Sequence, residues 1–284
     1  MEARGAGKSA VSRRFVRATA KKVTELLERD LSGLDLTVLL LDGVHYNSEH
    51  VIVAAVGIDR EGKKHVLGLW EGATENTVTC TALLESLVER GLRTGRAMLV
   101  VIDGGKALAR AVCSVLGKHA LIQRCQEHKK RNVLEALPQH KRLSVKRALN
   151  EAFHDKNHAR AKRMLENLAR KLEEQHPGAA ASLREGLEEL LTVKALGLGS
   201  TNLERTLSTT NLIENLIGVV RQLSGRVKRW RSGKMILRWS AAGVLEAERG
   251  FRRIRGYQKM GKLVAALQKH DAKLNGTFSK SAVA

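Results

Sequence analysis

Aromatic residues and cysteines are scarce in this chain. Phenylalanine, tryptophan and tyrosine together make up 3% of its 284 residues. That is too few for the modules that bind single-stranded nucleic acid by stacking bases on aromatic side chains. The three cysteines, Cys80, Cys113 and Cys125, form an odd and scattered set. Such a set excludes a disulfide framework and is typical of a reducing compartment.

Acidic residues are also few, and no long apolar run occurs. The chain has 29 Asp and Glu against 50 Lys and Arg, which gives a net charge of +21. An excess of this size destabilises a compact protein by self-repulsion unless a polyanion binds, so nucleic acid is the expected partner. A basic protein of the membrane surface is the alternative. No apolar stretch is long enough to span a bilayer and no secretory signal is present, so we expect no membrane span.

The positive charge is concentrated in two segments. Residues 218–284 carry 16 Lys and Arg against 3 Asp and Glu, and residues 123–147 carry 8 against 2. The regions around Asp42 and Asp103 are much less basic. This distribution is expected of a protein whose basic surfaces hold phosphate backbones beside a site built from acids.

Two short apolar runs rich in β-branched residues end in Asp-Gly. Residues 36–41 lead into Asp42, and residues 98–102 lead into Asp103. Both runs predict buried strands, and ligands of open sheets collect at strand ends. Neighbouring carboxylates repel unless a cation lies between them, so the pair indicates a divalent-metal site. Two simpler interpretations remain open: Asp42-Gly43 as a hairpin turn and Asp103 as a helix N-cap.

The order of predicted elements is helix, three strands, then helix, strand, helix, strand and further helices. The first helix covers about 11–30, with Ser9 as its N-cap. The following strands and helices are predicted at 36–44, 50–58, 64–70, 76–90, 97–102, 106–116 and 119–123. Three antiparallel-type strands before an α-β-α-β run, with acids on the first and fourth strands, form the topology of a ribonuclease H-like fold.

A third acid is expected from a later helix in that fold, and Glu214 is the candidate. The helix predicted at 209–223 has an apolar stripe formed by Leu212, Ile213, Leu216, Ile217, Val220 and Leu223. Glu214 lies on the flank of this stripe, where it can reach the edge of the sheet. The alternative is a capping box, in which Asn211 is the N-cap and Glu214 the third helical residue.

At these residues the sequence resembles the Mutator-like transposases of bacterial insertion sequences. The matching motifs are LDGVHYNSE at Asp42, LVVIDGGKAL at Asp103, QRCQEHKKRN at Cys125, STTNLIENLIGVVRQ at Glu214, and KRWRSGKMILRW at Trp230 and Trp239. The resemblance covers about residues 8–268. It implies that Asp42, Asp103 and Glu214 are the D-D-E catalytic acids and that they bind two Mg²⁺ or Mn²⁺ ions.

The resemblance also implies a function, partners and a location. The function is metal-dependent DNA strand cleavage and strand transfer at the ends of a mobile element. The partners are double-stranded DNA, as element ends and target, and other copies of the chain in a homodimer or larger synaptic assembly. The location is the bacterial cytoplasm, in association with the nucleoid. The alternatives are a truncated or repurposed DNA-binding derivative without catalysis, and a ribonuclease H-like nuclease without strand transfer.

We expect four regions from the resemblance and the composition. They are an N-terminal helical remnant at 1–34, a ribonuclease H-like catalytic core at 35–137 and 206–240, a helical insertion at 138–205, and a basic helical tail at 241–284. Family members carry a further region before the first strand, so we expect this chain to be truncated at its N-terminus.

The Cys125-x2-His128 pair has half of a zinc-site spacing. His154 and His158 offer two further ligands, so a structural zinc site is one interpretation. The family has a Cys-x2-His pair at this place, which favours a role near the acids, either in orienting one of them or in contacting DNA. A buried structural pair is the third interpretation.

Basic residues near these motifs are the candidate DNA contacts. They are Lys129, Lys130, Arg131, Arg221, Lys228, Arg229, Arg231 and Arg238, together with Trp230. The run 249–255 is a further phosphate-contacting face. Trp230 and Trp239 either pack on a distorted DNA end or anchor the C-terminal helices to the core.

Overall fold

The computed structural model describes residues 7–46, 50–225 and 227–276. The strands are β1 (Leu36–His45), β2 (Val51–Asp59), β3 (Lys64–Gly72), β4 (Met98–Ile102) and β5 (Ala120–Arg124). The helices are α1 (Lys8–Leu27), α2 (Thr77–Glu89), α3 (Lys106–Leu116), α4 (Gln126–Glu135), α5 (Gln139–His154), α6 (His158–Glu173), α7 (Pro177–Arg184), α8 (Asn202–Leu207), α9 (Asn211–Ser224), α10 (Gly233–Arg249) and α11 (Met260–Leu274). The extreme ends of the predicted N- and C-terminal regions, 1–6 and 277–284, lie outside the described residues.

The five strands form one mixed sheet in the order β3-β2-β1-β4-β5. β2 is antiparallel to both β1 and β3, whereas β1, β4 and β5 are mutually parallel. β3 therefore also runs in the direction of β1. Leu41 pairs with Ile102 across the β1–β4 ladder, which brings the residues that follow each of them, Asp42 and Asp103, to the same edge of the sheet.

Helices cover both faces of the sheet. Leu39 and Leu41 of β1 pack with α2 and α3 on one face. Val38, Leu40 and Val44 pack with α9, α10 and α11 on the other. Because side chains alternate along a strand, Asp42 shares the face of Val38 and Leu40 and points towards α9.

The helices between β5 and α8 have a hydrophobic core of their own. It contains Leu149, Leu165 and Leu183 from α5, α6 and α7. Gln123 at the end of β5 ties this helical region to the sheet, since its amide donates to Leu190 O at 2.9 Å and accepts from Val193 N at 2.9 Å. The helical region is thereby fixed next to the carboxyl ends of β4 and β5.

The predicted strands and the helices between them are confirmed to within two residues at each end. The position of the first helix was less accurate, because α1 starts at Lys8 and Gly7 is its N-cap, so the prediction for Ser9 is wrong. No described helix is both long and apolar enough to cross a membrane.

The simpler interpretations of the acids are also wrong. Asp42 and Gly43 form no hairpin turn, because β1 continues to His45 and Asp42 pairs with Ala54 of β2. Gly105, and not Asp103, is the N-cap of α3. Thr210 is the N-cap of α9, which places Glu214 one residue beyond the capping-box position.

Candidate acidic site

Asp42 is the most buried acid at this edge of the sheet. Its relative exposure is 7%, and no described residue donates a hydrogen bond to its carboxylate. The pKa of Asp42 is raised from its ordinary 3.8 to about 7, chiefly by burial and also by the charges of Asp103, Glu214 and Glu75, against an opposing effect of His128. Burial and the neighbouring acids therefore outweigh the positive charge of His128 at this carboxylate.

Asp103 is the first residue after β4. Its Oδ1 accepts a hydrogen bond from Gly105 N at 2.7 Å. Gly104 between them has φ 113°, a left-handed conformation that glycine adopts without strain. The hydrogen bond fixes the Asp103 carboxylate in this turn, where its charge raises the pKa of Asp42.

Glu214 reaches the site from the first turn of α9. Thr210 Oγ1 donates to its Oε1 at 2.5 Å, and His128 Nδ1 lies 3.7 Å from the same oxygen. The Glu214 side chain is 39% exposed, so it is open to a ligand as well as to these partners. The three predicted acids thus approach one another from β1, β4 and α9.

Cys125 joins the starts of α4 and α9. Its Sγ accepts from His128 N at 3.5 Å and from Thr210 N at 3.4 Å, and its own N–H donates to Ile102 O at the end of β4. Burial opposes ionisation of the Cys125 thiol, but the hydrogen bonds from His128 and Thr210 outweigh burial and lower its pKa. Cys125 therefore positions the residues that surround Glu214.

His128 is the cation of this cluster. Its pKa is raised from 6.5 to about 9, chiefly by Cys125 and further by Glu214 and Asp103. A protonated His128 partly neutralises the acids. The Cys-His pair thus lies next to Glu214, and its role there stays a prediction.

One group of three possible metal ligands occurs within the described ranges: Cys125, His128 and Glu214, whose ligand atoms lie within 4.8 Å of one another. His154 and His158 do not belong to it. The zinc interpretation that uses those two histidines is therefore wrong, because His154 is exposed and bonds to Asn150 O in its own helix.

Glu75 is a fourth acid that the sequence analysis missed. It lies in the connection between β3 and α2, and its side chain is 16% exposed. Burial raises the pKa of Glu75, and the charge of Asp103 raises it further. The direction of β3 could have indicated this position for Glu75. β3 runs parallel to β1, so its carboxyl end lies at the sheet edge that holds Asp42.

The donor set fits a hard divalent cation. The charges of Asp103, Glu214 and Glu75 all act on Asp42, although no three of these four carboxylates come within 4.8 Å of one another among the described residues. Asp42, the most buried of them, has neither a hydrogen-bond donor among the described residues nor a directly paired cation. Mg²⁺ and Mn²⁺ prefer carboxylate and water oxygens as ligands. A cation at this place would offset both the burial of the Asp42 carboxylate and its repulsion by the other acids, which together raise its pKa.

The candidate DNA contacts differ in exposure. Arg131, Arg221, Lys228, Arg229 and Arg231 are exposed, and Lys130 and Arg238 are half-buried. Lys129 is 4% exposed and its Nζ donates to Ser182 O at 2.6 Å. Lys129 is therefore not available as a DNA contact, because its buried ammonium donates a hydrogen bond within the helical region.

Both tryptophans pack within the protein. Trp230 meets Tyr46 edge to face with ring centroids 5.1 Å apart, and Trp239 meets Phe15 with centroids 4.6 Å apart. Tyr46 in turn bonds to Ser240 Oγ at 2.6 Å. These contacts favour the interpretation that the tryptophans anchor the C-terminal helices, with α1 held against α10.

The known proteins to which the chain is similar in sequence are transposases. The model of the family described as "Transposase, Mutator family" matches residues 1–242. The chain is 27% identical to the transposase for insertion sequence element IST2 of Acidithiobacillus ferrooxidans, over 76% of this chain and 72% of that protein. It is 29% identical to the transposase for IS256 in transposon Tn4001 of Staphylococcus aureus, over 76% of this chain and 57% of that protein.

A third relative, the transposase for IS6120 of Mycolicibacterium smegmatis, is 28% identical over 57% of this chain and 51% of its own length. The chain therefore spans between about half and three quarters of the length of these relatives.

Proposed function

The chain belongs to the Mutator family of transposases, and we propose that it cleaves DNA strands and transfers them at the ends of a mobile element in a metal-dependent reaction. The observation that carries this proposal is the approach of Asp42, Asp103 and Glu214 to one edge of the sheet from three separate elements. A site of several carboxylates suits phosphodiester chemistry assisted by divalent cations.

The fold assigned to this function is ribonuclease H-like. The mixed sheet with the order β3-β2-β1-β4-β5 supports it, as does the position of two acids at the ends of β1 and β4. The separate hydrophobic core of α5, α6 and α7 supports a helical insertion between β5 and the helix that carries Glu214. On this proposal, segments 35–137 and 206–240 form the catalytic core and 138–205 forms the insertion.

Two Mg²⁺ or Mn²⁺ ions are the proposed cofactors. Asp42, Asp103 and Glu214 would hold these ions. When bound, such ions activate the attacking oxygen and stabilise the leaving oxygen of the phosphodiester. Thr210 and His128 orient the Glu214 carboxylate, and the Gly105 N–H orients that of Asp103.

The substrate proposed for this site is double-stranded DNA, bound through its phosphates. The exposed Arg221 lies in the last turn of α9, the helix that carries Glu214, and the exposed cations Lys228, Arg229 and Arg231 follow that helix along the chain. A dimer or larger assembly that pairs two element ends is proposed from the family alone. The excess of basic side chains would neutralise DNA phosphates, and the bound DNA would supply the phosphodiester on which the acids act.

The test is Mn²⁺-dependent nicking of supercoiled plasmid DNA by the full chain. Asp42→Asn, Asp103→Asn and Glu214→Gln are expected to lower the nicking rate by at least about 100-fold, with DNA affinity unchanged. Glu85→Gln, an exposed acid on α2, is the matched control and should leave the rate unchanged. Nicking that survives Asp42→Asn, or proceeds equally in EDTA, would refute the proposal. DNA binding without any nicking would support the non-catalytic alternative.

A further inference from the structure

We propose that Glu75 supplies a fourth carboxylate to the cation site, on the side of Asp103. This assignment rests on the function proposed above and extends its ligand set. Glu75 follows β3 by three residues and precedes Asn76, the N-cap of α2. The connection between β3 and α2 therefore crosses the same sheet edge as the ends of β1 and β4.

Two glycines show how closely the Glu75 carboxylate approaches the other acids. A Cβ atom at Gly43, the residue after Asp42, would lie 2.0 Å from Glu75 Oε2. A Cβ atom at Gly105 would lie 3.3 Å from Glu75 Oε1 and 3.2 Å from Asp103 Oδ1. The Glu75 carboxylate thus fills the space above the backbone of Gly43 and faces Asp103 across Gly105.

No described residue satisfies this carboxylate well. Among the described residues its nearest basic side chain is that of His45, with Nε2 3.9 Å from Glu75 Oε2, and the His45 side chain is 67% exposed. No hydrogen bond from the described residues reaches either oxygen of Glu75. The nearby N–H of Thr79, at the start of α2, donates to Asn76 Oδ1 instead. A carboxylate that is mostly buried, faces another acid and has no donor is suited to a cation between the two acids.

The test is calorimetric titration of the full chain with Mn²⁺ alone. Glu75→Gln is expected to weaken Mn²⁺ binding by about 10- to 100-fold, the range seen when a group that completes or supports a metal shell is removed. Asp103→Asn is expected to weaken it at least as much. The matched control is Glu85→Gln, which makes the same chemical change on the exposed side of α2 and should bind Mn²⁺ as the wild type does.

The outcomes separate the two proposals. If Asp103→Asn loses Mn²⁺ binding and Glu75→Gln binds as the wild type does, the role of Glu75 is refuted and the proposed function stands. If the wild type binds no Mn²⁺, or Asp103→Asn binds normally, the proposed cation site is refuted and the role of Glu75 with it.

A second pair of variants keeps the test valid if Glu75→Gln does not fold. Gly43→Ala puts a methyl group where the Glu75 carboxylate lies, so it is expected to weaken Mn²⁺ binding in the wild type. In a Glu75→Ala background the methyl group has room, and the same substitution should have little further effect. An equal loss in both backgrounds would mean that Gly43 acts through the β1 backbone and would count against Glu75.

Discussion

At the scale of single residues, Asp42 is an acid whose ionisation is opposed by its surroundings. Its pKa in the folded protein is about 7, above its ordinary 3.8, so the folded state binds more protons than the unfolded state between these pH values. Without a metal, the free energy of unfolding should therefore fall as the pH rises from about 4 to 7. Such a cost is consistent with a residue kept for its chemistry and not for stability.

Asp42→Asn removes this cost, so in EDTA at pH 8 the variant is expected to be more stable than the wild type by roughly 1–4 kcal/mol. The difference should shrink as the pH is lowered from 8 towards 4, because Asp42 becomes protonated in the folded state, and it should vanish only below the ordinary pKa of 3.8, where the carboxyl is protonated in both states. Urea unfolding at pH 5 and pH 8 measures both effects. A variant that is less stable than the wild type at pH 8 would show that the Asp42 carboxylate has partners that offset its burial.

Asp59 provides a control, because its pKa is shifted in the opposite direction to that of Asp42. Burial opposes the ionisation of Asp59, but its hydrogen bonds to His65, Lys63 N and Glu61 N prevail and lower its pKa. Its stabilising contribution is present above its ordinary pKa and is lost as the pH falls through the lowered value. Asp59→Asn should therefore destabilise the protein at pH 8, in the same experiment where Asp42→Asn stabilises it.

At the scale of elements, the starts of α4 and α9 are joined through one sulfur atom, and this contact makes a testable prediction about His128. The pKa of His128 is about 9 and is raised chiefly by Cys125. In Cys125→Ala the pKa should therefore fall towards the ordinary 6.5, and Glu214→Gln should lower it less. Proton NMR titration of the histidine ring signals measures this, with His128→Gln used to assign the signal.

Cys80→Ala is the control for that titration. Cys80 is also a buried cysteine, but it lies on α2 in the core of the opposite sheet face. The pKa of His128 should not change in Cys80→Ala. If it falls equally in both cysteine variants, the cause is a general loosening of the core and not the contact with Cys125.

The elements differ in how far the sequence could predict them. β1 and β4 were predictable because their apolar runs end at acids, and pairing of parallel neighbours brings Asp42 and Asp103 together. Glu75 was not, because it lies in an irregular connection with no periodicity, and its place depends on the direction of β3. The burial of Lys129 was not predictable either, since its partner, Ser182 O, lies 53 residues away in another helix.

At the scale of the whole molecule, an acidic site is set apart within a strongly basic chain. The net charge is +21, yet four acids gather at one sheet edge with His128 as their close cation. A uniformly basic protein would bind DNA without leaving room for divalent cations. The separation lets exposed arginines and lysines hold the phosphates while the acids remain free for metal.

DNA binding should therefore depend steeply on salt and be governed by the cations alone. The double variant Lys228→Gln, Arg231→Gln is expected to reduce the slope of log K against log salt by about 2, if each side chain releases one counterion. The matched control is Arg163→Gln, Lys171→Gln, which removes the same charge from exposed positions on α6, in the helical region. Fluorescence anisotropy with a labelled duplex at several salt concentrations measures both.

The same measurement separates binding from catalysis. Asp42→Asn should leave the salt slope unchanged, because a buried acid at the sheet edge releases no counterion from DNA. Equal losses of slope in the two double variants would mean that DNA senses only the net charge of the chain, and the basic segment after α9 would have no special place in binding. A loss confined to Lys228 and Arg231 would place the phosphates next to the helix that carries Glu214. That is the arrangement that strand cleavage at these acids requires.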